Sequence, residues 1–107
     1  MLQHDAFEHG PQAQLLVDPL ENRVLAANIK ARQLFLLGDL KENTVTVTSL
    51  FAECLSELYT LSSDALHHHW AWSENLVFSA PGGSAPLETT VSTIEQNGNT
   101  LLIFSCS

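Results

Sequence analysis

Three consecutive histidines, His67, His68 and His69, form the densest cluster of chemically capable side chains in this sequence of 107 residues. Imidazoles are common metal ligands and can bind haem iron axially. Successive residues of an α-helix point about 100° apart, so a regular helix cannot direct all three at one ion. One or two could act with a distant histidine. The alternative is a solvated or interface helix face with one imidazole packed against Trp70.

The other reactive side chains form no catalytic arrangement. Glu53 and Glu57 are four residues apart, a spacing that places both on the wet face of a helix. The sequence contains no Gly-x-Ser-x-Gly, no phosphate-binding loop and no His-Glu-x-x-His pair. Cys54 and Cys106 lack the spacing of a metal pair or a redox motif, and we expect both to be reduced and buried. We therefore expect no enzymatic activity, no catalytic residue and no metal site.

Length and composition indicate one globular domain. The chain is 45% hydrophobic and 15% charged, and a chain of this length buries roughly two-thirds of its unfolded surface. A net charge of −8 with only four Lys and Arg residues argues against direct nucleic-acid binding. The N-terminus lacks the pattern of a signal peptide, and no run approaches the roughly 20 apolar residues of a membrane helix. We expect a cytoplasmic protein without membrane insertion.

The elements that position these residues begin with a hairpin and a capped helix. An apolar strand over residues 13–17 ends at Asp18-Pro19, and Asn22 tolerates the positive φ of a tight turn. A second strand follows over residues 24–27. Asn28 is a favoured N-cap, because its side-chain oxygen can accept an amide of the first helical turn. Helical spacing then relates Ala27, Ala31, Leu34 and Phe35.

The rest of the chain predicts helices followed by three strands. Gly38 is expected to end the first helix, and residues 44–48 to form an extended loop in preference to a strand. Thr48 or Ser49 is expected to cap a second helix, and Ser62-Ser63-Asp64 to open a third that continues through Trp72. Strands are predicted over residues 74–79, 87–94 and 100–105, with a loop over residues 81–86 and a tight Asn97-Gly98 hairpin. Strands on either side of a helical middle indicate an α+β domain.

This order of elements resembles the PAS (sensory box) family. The pattern of Asp, turn, Val, Asn, Ala and Leu is met at Asp18, Val24, Asn28, Ala31 and Leu34. The sequence departs from the family at Asn22, where Gly is common, and over residues 37–43. The resemblance implies a PAS-like five-stranded antiparallel sheet with helices packed on one face. Residues 1–12 would form an N-terminal lead-in segment, and residues 13–107 the sensory domain.

The resemblance also bears on cofactors. Haem-binding PAS domains often place an axial histidine on the helix before the third strand, which makes residues 67–69 possible haem ligands by position. The flavin-binding LOV type needs a cysteine in an Asn-Cys-Arg-Phe-Leu-Gln-like motif, which neither Cys54 nor Cys106 matches. Flavin is therefore disfavoured. No cofactor is the first expectation and haem the alternative.

A PAS topology predicts that apolar residues of the helices face apolar residues of the sheet. These residues are either a filled core or the lining of a small cavity for an apolar or weakly polar metabolite. Trp70 and Trp72 would cover that cavity, form a dimer surface or pack in the ordinary way. The predicted pocket residues are Leu34, Phe35, Phe51, Leu55, Leu58, Leu76, Phe78, Val91, Leu101 and Ile103.

The function that the resemblance implies is regulatory. A bacterial sensory domain would detect a small ligand or a partner and pass the signal by dimerisation to an output domain. Because Ser107 follows the last strand almost directly, we expect that domain to follow C-terminally in the same chain. Candidates are a histidine kinase of a two-component system, a diguanylate cyclase of cyclic-di-GMP signalling, or a transcriptional activator. The alternatives are a ligand-free interaction domain that forms a homodimer through its sheet face and residues 2–7, and a haem-based sensor.

Overall fold

The computed structural model describes residues 9–35, 45–80 and 83–106. Two strands come first, followed by three helices and three further strands. In chain order the elements are β1 (Ala13–Asp18), β2 (Arg23–Ala27), α1 (Ile29–Leu34), α2 (Val47–Leu50), a 3-10 turn (Ala52–Cys54), α3 (Leu55–His68), β3 (Trp70–Ala80), β4 (Gly83–Gln96) and β5 (Asn99–Cys106).

The five strands form one antiparallel sheet in the order β2-β1-β5-β4-β3. β1 and β5, from opposite ends of the described chain, are neighbours in the middle of the sheet, and β2 and β3 are its edges. The predicted α+β class and five-stranded antiparallel sheet are confirmed.

The two predicted turns depend on two asparagines and a glycine. Asn22 has φ 56°, in the left-handed region that asparagine tolerates better than most residues. Asn97 and Gly98 have φ 54° and 80°, the pair of positive values that a two-residue hairpin of type I′ requires. Both predicted turns are confirmed.

Asn28 caps α1, as predicted, and also joins the helix to β1. Its Oδ1 accepts a hydrogen bond from the amide of Ala31 at 2.9 Å and another from the amide of Gln14 at 2.9 Å. Its Nδ2 donates to the carbonyl of Gln12 at 2.8 Å. The side chain is completely buried, so these bonds replace the water it would otherwise hold.

The predicted helix break at Ser62-Ser63-Asp64 is wrong. α3 runs through these residues without interruption, because its apolar face continues on both sides of them and is buried. Burial of a helical face contributes more than a local cap signal. The buried residues of that face are Leu58, Leu61 and Ala65.

The predicted helix through Trp72 is also wrong, because α3 ends before the tryptophans. His69 has φ 68° and its amide donates to the carbonyl of Ala65 at 2.7 Å, a left-handed helix end. Trp70 and Trp72 belong to β3, which starts four residues earlier than the strand predicted to begin at residue 74.

The predicted loop over residues 81–86 is shorter than expected, since β4 begins at Gly83. Pro86 is accommodated inside the strand because it lies opposite Val77. The amide and carbonyl of Val77 bond to the Sγ of Cys54, at 3.2 and 3.3 Å, and so point away from β4. Pro86 therefore does not need an amide to bond to β3. Positions without a ladder bond are those where a strand tolerates proline.

The segment before α2 is extended, as predicted, but only over two described residues. Thr46 forms an antiparallel bridge with Arg23, and the amide of Val24 donates to the carbonyl of Val45 at 3.0 Å. The helix then starts at Val47, so Thr48 and Ser49 lie inside it and the predicted caps are wrong. The predicted exit of the first helix at Gly38 lies outside the described residues.

The helices pack on one face of the sheet, where the main hydrophobic core lies. A second, smaller cluster occupies the opposite face. It consists of the buried Leu16 and Leu101 and the partly buried Leu25, Ala26, Ile94 and Ile103. Within the described residues, no helix has the length and hydrophobicity needed to cross a membrane.

Candidate functional site

The ten residues predicted to line a pocket fall into three groups. Most lie between the helices and the sheet: Phe35, Phe51, Leu58, Leu76, Phe78 and Val91 are buried there, and Leu34 packs against them half-buried. Leu55 is 37% exposed at the start of α3.

Leu101 and Ile103 do not face the helices. They belong to the cluster on the opposite side of the sheet, and Ile103 pairs there with Leu16. Successive residues of a strand point to opposite faces, and the completely buried Leu102 and Phe104 take the helix side of β5. Because β5 is apolar on both faces, its sequence alone does not tell which residues point inwards.

Phenylalanine rings fill the interior that the predicted pocket would occupy. Phe35 packs edge to face against Phe78 with ring centroids 4.8 Å apart, and against Phe51 at 5.8 Å. Phe51 stacks on Phe104 at 6.2 Å. These distances are those of favourable aromatic pairs. The rings join the ends of α1 and α2 to β3 and β5.

A small cleft lies next to α3, and none of these phenylalanines lines it. Its volume is about 80 Å³, and Leu58 is its one lining residue from the predicted set. It lies between α3, the β1–β2 turn and the start of α2. The lining is largely apolar with a few hydroxyl and amide groups: Val17, Pro19, Asn22, Val47, Thr48, Leu58, Tyr59, Ser62 and Leu102.

Asn22 connects the two sides of the cleft rim. Its Nδ2 donates to Oγ1 of Thr48 at 2.8 Å, and its Oδ1 accepts from the amide of Thr48 at 3.2 Å. Its carbonyl accepts from the amide of Val47 at 3.3 Å. Sequence reasoning identified Asn22 only as a turn residue. The contact spans 26 positions, so no local pattern signals it.

A second groove, of about 190 Å³, is polar and acidic. It lies between α3 and β3. Its lining is Glu57, Thr60, Leu61, Asp64, Trp72, Ser73, Glu74 and Asn75. Oε2 of Glu57 accepts a hydrogen bond from the Ser73 hydroxyl at 2.7 Å. The expectation that Glu57 is only a solvated helix residue is therefore wrong, because its carboxylate joins α3 to the edge strand.

The three histidines are exposed, His67 and His68 in the last turn of α3 and His69 directly after it. Nδ1 of His67 donates to the carbonyl of Ser63 at 2.8 Å, and Nδ1 of His69 lies 3.3 Å from Oγ1 of Thr93. The rings of His67 and His68 are 6.4 Å apart. Among the residues that the structure describes, no group of three or more His, Cys, Asp or Glu side chains is placed to hold a metal ion.

The two cysteines are free and differ in environment. Burial raises the pKa of Cys106 to about 11, although a hydrogen bond from the Thr89 hydroxyl opposes the shift. The Cys106 thiol is therefore neutral near pH 7, and a neutral thiol is a poor nucleophile. Cys54 is half-buried with its Sγ on the backbone of Val77. The hydrogen bonds of both cysteines are therefore structural.

Comparison with solved structures identifies the fold. The PAS domain of nitrogen regulation protein NR(II) from Vibrio parahaemolyticus has a TM-score of 0.75 and 18% identity, over 96% of this chain and 94% of that one. A PAS domain from Desulfitobacterium hafniense has a TM-score of 0.72 and 13% identity, over 96% and 97%. A PAS domain from Colwellia psychrerythraea has a TM-score of 0.71 and 18% identity, over 94% and 89%.

No protein-family model matches the sequence, and the search of curated proteins finds no match. The structure itself defines the class, an α+β domain with helices on one face of a five-stranded antiparallel sheet. Within that class the chain has the PAS fold, which confirms the resemblance drawn from the stretch between Asp18 and Leu34. At these identities the likeness concerns the fold.

Proposed function

We propose that this chain is a regulatory sensory domain that responds to protein contact and passes its signal by dimerisation. The observation that carries the proposal is the apolar cluster on the sheet face opposite the helices, with Leu16 and Leu101 at its centre. A PAS fold with a filled interior and an apolar outer face suits signalling through that face better than capture of a metabolite inside.

The interior of the domain has too little free volume for a typical metabolite site. Pockets for small molecules commonly measure about 300–1,000 Å³. The cleft beside α3 measures about 80 Å³, and the phenylalanine rings pack against one another in the interior between helices and sheet. A metabolite of ordinary size would have to displace packed rings, and displacing close-packed core side chains is costly.

The alternative is that a partner protein contacts the outer face of the sheet. Ile94 pairs with Leu101 across β4 and β5, and Leu16 pairs with Ile103 across β1 and β5. These four side chains form an apolar band across three neighbouring strands. Leu16 and Leu101 are already buried within the chain, and the partly buried Ile94 and Ile103 leave the apolar surface that a partner would cover. We assign the homodimer interface to this band, with residues 1–12 as a further contributor.

We propose an output for the domain from the proteins that share its fold. One structural neighbour is the PAS domain of a nitrogen regulation protein, which favours a two-component histidine kinase as the output. A diguanylate cyclase of cyclic-di-GMP signalling and a transcriptional activator are the alternatives. We place the output domain C-terminally in the same polypeptide and the whole protein in the cytoplasm, without catalysis in the PAS-fold domain itself.

Light scattering after size-exclusion chromatography tests the interface. We expect the chain to be a dimer and Ile94→Glu to be a monomer, because a carboxylate in the apolar band is desolvated on association. Leu66→Glu makes the same change at a 41% exposed residue of α3 and is expected to stay dimeric. A monomeric starting chain, or a dimer that survives Ile94→Glu, would contradict the proposal. Removal of residues 1–12 measures the contribution of the lead-in segment.

Native mass spectrometry of freshly purified protein separates protein contact from ligand sensing. We expect twice the mass of the chain and no added mass. A retained molecule, or a Soret band in the absorption spectrum, would instead assign the domain to ligand or haem sensing.

A further inference from the structure

The outer edge of β3 is a second surface suited to a partner, and its tryptophans lie on the same face of the sheet as the proposed dimer band, since Trp70 pairs with Ser92 and Ser92 with Ile103. β3 is the last strand of the sheet and pairs only with β4 among the strands that the structure describes. An edge strand presents unpaired amides and carbonyls that an added strand can bond. The backbone directions along β3 show which part of this edge has unpaired amides and carbonyls.

The backbone directions can be read from the ladder. The amide of Thr93 donates to the carbonyl of His69, directly opposite it, at 3.4 Å. Opposite residues of an antiparallel pair alternate between bonded and non-bonded positions. Trp70, opposite Ser92, and Trp72, opposite Thr90, are therefore non-bonded positions, and their amides and carbonyls point to the outer edge.

The far end of the same edge is protected. The backbone of Val77 also points outwards, and there the Sγ of Cys54 bonds both its amide and its carbonyl. The two exposed tryptophans lie at the other end of this edge, at the start of β3. Trp70 is 58% exposed and Trp72 is 46% exposed. Tryptophan is enriched at the centres of protein interfaces, so its exposure on an open edge indicates a docking position.

The negative charge beside this edge indicates which kind of partner fits it. The groove of about 190 Å³ between α3 and β3 is also lined by Glu57, Asp64 and Glu74, and it lies on the helix side of the edge strand, opposite the two indoles. A second copy of this chain would bring the same carboxylates and a net charge of −8 to the contact. Like charges facing each other oppose association. A segment rich in Lys and Arg has the opposite charge and suits the groove.

We propose that the β3 edge at Trp70 and Trp72 binds an extended, basic peptide segment of a partner protein. The segment adds a strand to the sheet, and one of its Lys or Arg side chains enters the Glu57–Asp64–Glu74 groove on the helix side of β3. The backbone bonds provide affinity and the groove provides specificity. A cation in this position would bond to carboxylates on the helix side, and the residues that alternate with it along the segment would pack against the two indoles on the opposite face. Trp70 lies in the same cross-strand row as Ile103 and Leu16 of the proposed dimer band, so the two contacts are neighbours, and Ile94→Glu separates them.

Intrinsic tryptophan fluorescence tests the proposal directly, because Trp70 and Trp72 are the only tryptophans of the chain. The probe is the acetylated, amidated peptide Thr-Lys-Val-Arg-Val-Lys-Thr. We expect a saturable change in emission. Glu57→Gln combined with Asp64→Asn should weaken binding by about tenfold, the scale of two charge contacts at a half-open site. Gln and Asn keep similar shapes and hydrogen-bond acceptors, and circular dichroism checks the fold.

Two controls separate strand addition from general attraction to an acidic protein. Glu21→Gln combined with Glu95→Gln removes the same charge from two exposed turn-proximal sites and should leave binding unchanged. A peptide of the same sequence N-methylated at alternate residues keeps its charge but loses backbone donors, and it should bind at least about tenfold more weakly. Ile94→Glu should bind the unmodified peptide normally even if it dissociates the dimer.

Three results would overturn the proposal. The emission of the tryptophans does not change with peptide, or the turn-proximal variant loses as much affinity as the groove variant, or the N-methylated peptide binds equally well. A dimer in solution that Trp72→Lys dissociates would show that a second copy covers this edge, and it would also overturn the proposal.

Discussion

At the scale of single residues, His69 stands out because it is a non-glycine residue in left-handed conformation, at φ 68°. The position ends α3, and its amide bonds to the carbonyl of Ala65. A side chain with a Cβ makes this conformation less favourable by about 1 kcal/mol relative to glycine. The histidine therefore contributes strain at the junction of helix and edge strand.

This geometry predicts opposite effects for two neighbouring glycine substitutions. His69→Gly should raise the free energy of unfolding by about 0.5–1 kcal/mol, because glycine adopts the left-handed region without strain. His68→Gly should lower it by about 0.5–1 kcal/mol, because glycine is unfavourable within a helix. Urea unfolding followed by circular dichroism measures both. Loss of stability in both variants would show that the side-chain contact of His69 with Thr93 outweighs the strain.

Residues with strong intrinsic preferences were also the most predictable from sequence. Asn22 and Asn97 at positive φ and Asn28 at the start of α1 follow from properties of asparagine alone. Their long-range contacts do not. The bonds of Asn28 to Gln12 and Gln14 and those of Asn22 to Thr48 depend on how distant segments meet.

At the scale of elements, the start of the chain was predicted better than its middle. The hairpin and α1 are specified by turn and cap residues close in sequence. The end of α3 and the start of β3 are decided by burial instead: Ala65 and Ala71 are both buried, one on each side of the His69 turn. Ser62-Ser63-Asp64 carries a genuine local cap signal, but packing of the helix on the sheet overrides it.

The contact between the β1–β2 turn and α2 predicts a stability effect that the turn alone would not show. Asn22→Gly keeps the positive φ available but removes both side-chain bonds to Thr48. We expect the free energy of unfolding to fall by about 1–2 kcal/mol.

Asn97→Gly is the matched control for this element. Asn97 also has positive φ and is exposed in the hairpin between β4 and β5, so the same substitution there should change stability by less than about 0.5 kcal/mol. Equal effects at both positions, measured by urea unfolding, would mean that the bonds to Thr48 contribute nothing beyond the turn.

At the scale of the whole molecule, the sheet separates two environments. The helix side is filled by aromatic and aliphatic side chains, and the opposite side carries the apolar band proposed as an interface. The sequence predicts the five-stranded fold well, because strand and helix patterns are local. It assigns Leu101 and Ile103 to the wrong face, because β5 is apolar throughout. The acidic groove was missed because Glu57, Asp64 and Glu74 come together only when α3 packs on β3.

The filled interior makes a final prediction, about Phe51. This completely buried ring contacts both Phe35 and Phe104, and thereby links helices to sheet. Phe51→Ala should lower the free energy of unfolding by about 3–5 kcal/mol, because the surrounding rings cannot fully collapse into the space. Tyr59→Ala removes a ring that is 58% exposed and should cost less than about 1 kcal/mol.

A cavity of this kind should also acquire ligand binding that the unmodified chain lacks. Apolar cavities left by truncation of buried side chains can bind benzene, and binding to the folded state raises the melting temperature. We expect benzene to raise the melting temperature of Phe51→Ala and to leave that of the unmodified chain unchanged, as measured by calorimetry. A comparable rise in the unmodified chain would reveal a ligand-accessible interior. That result would favour metabolite sensing over protein contact as the input of this domain.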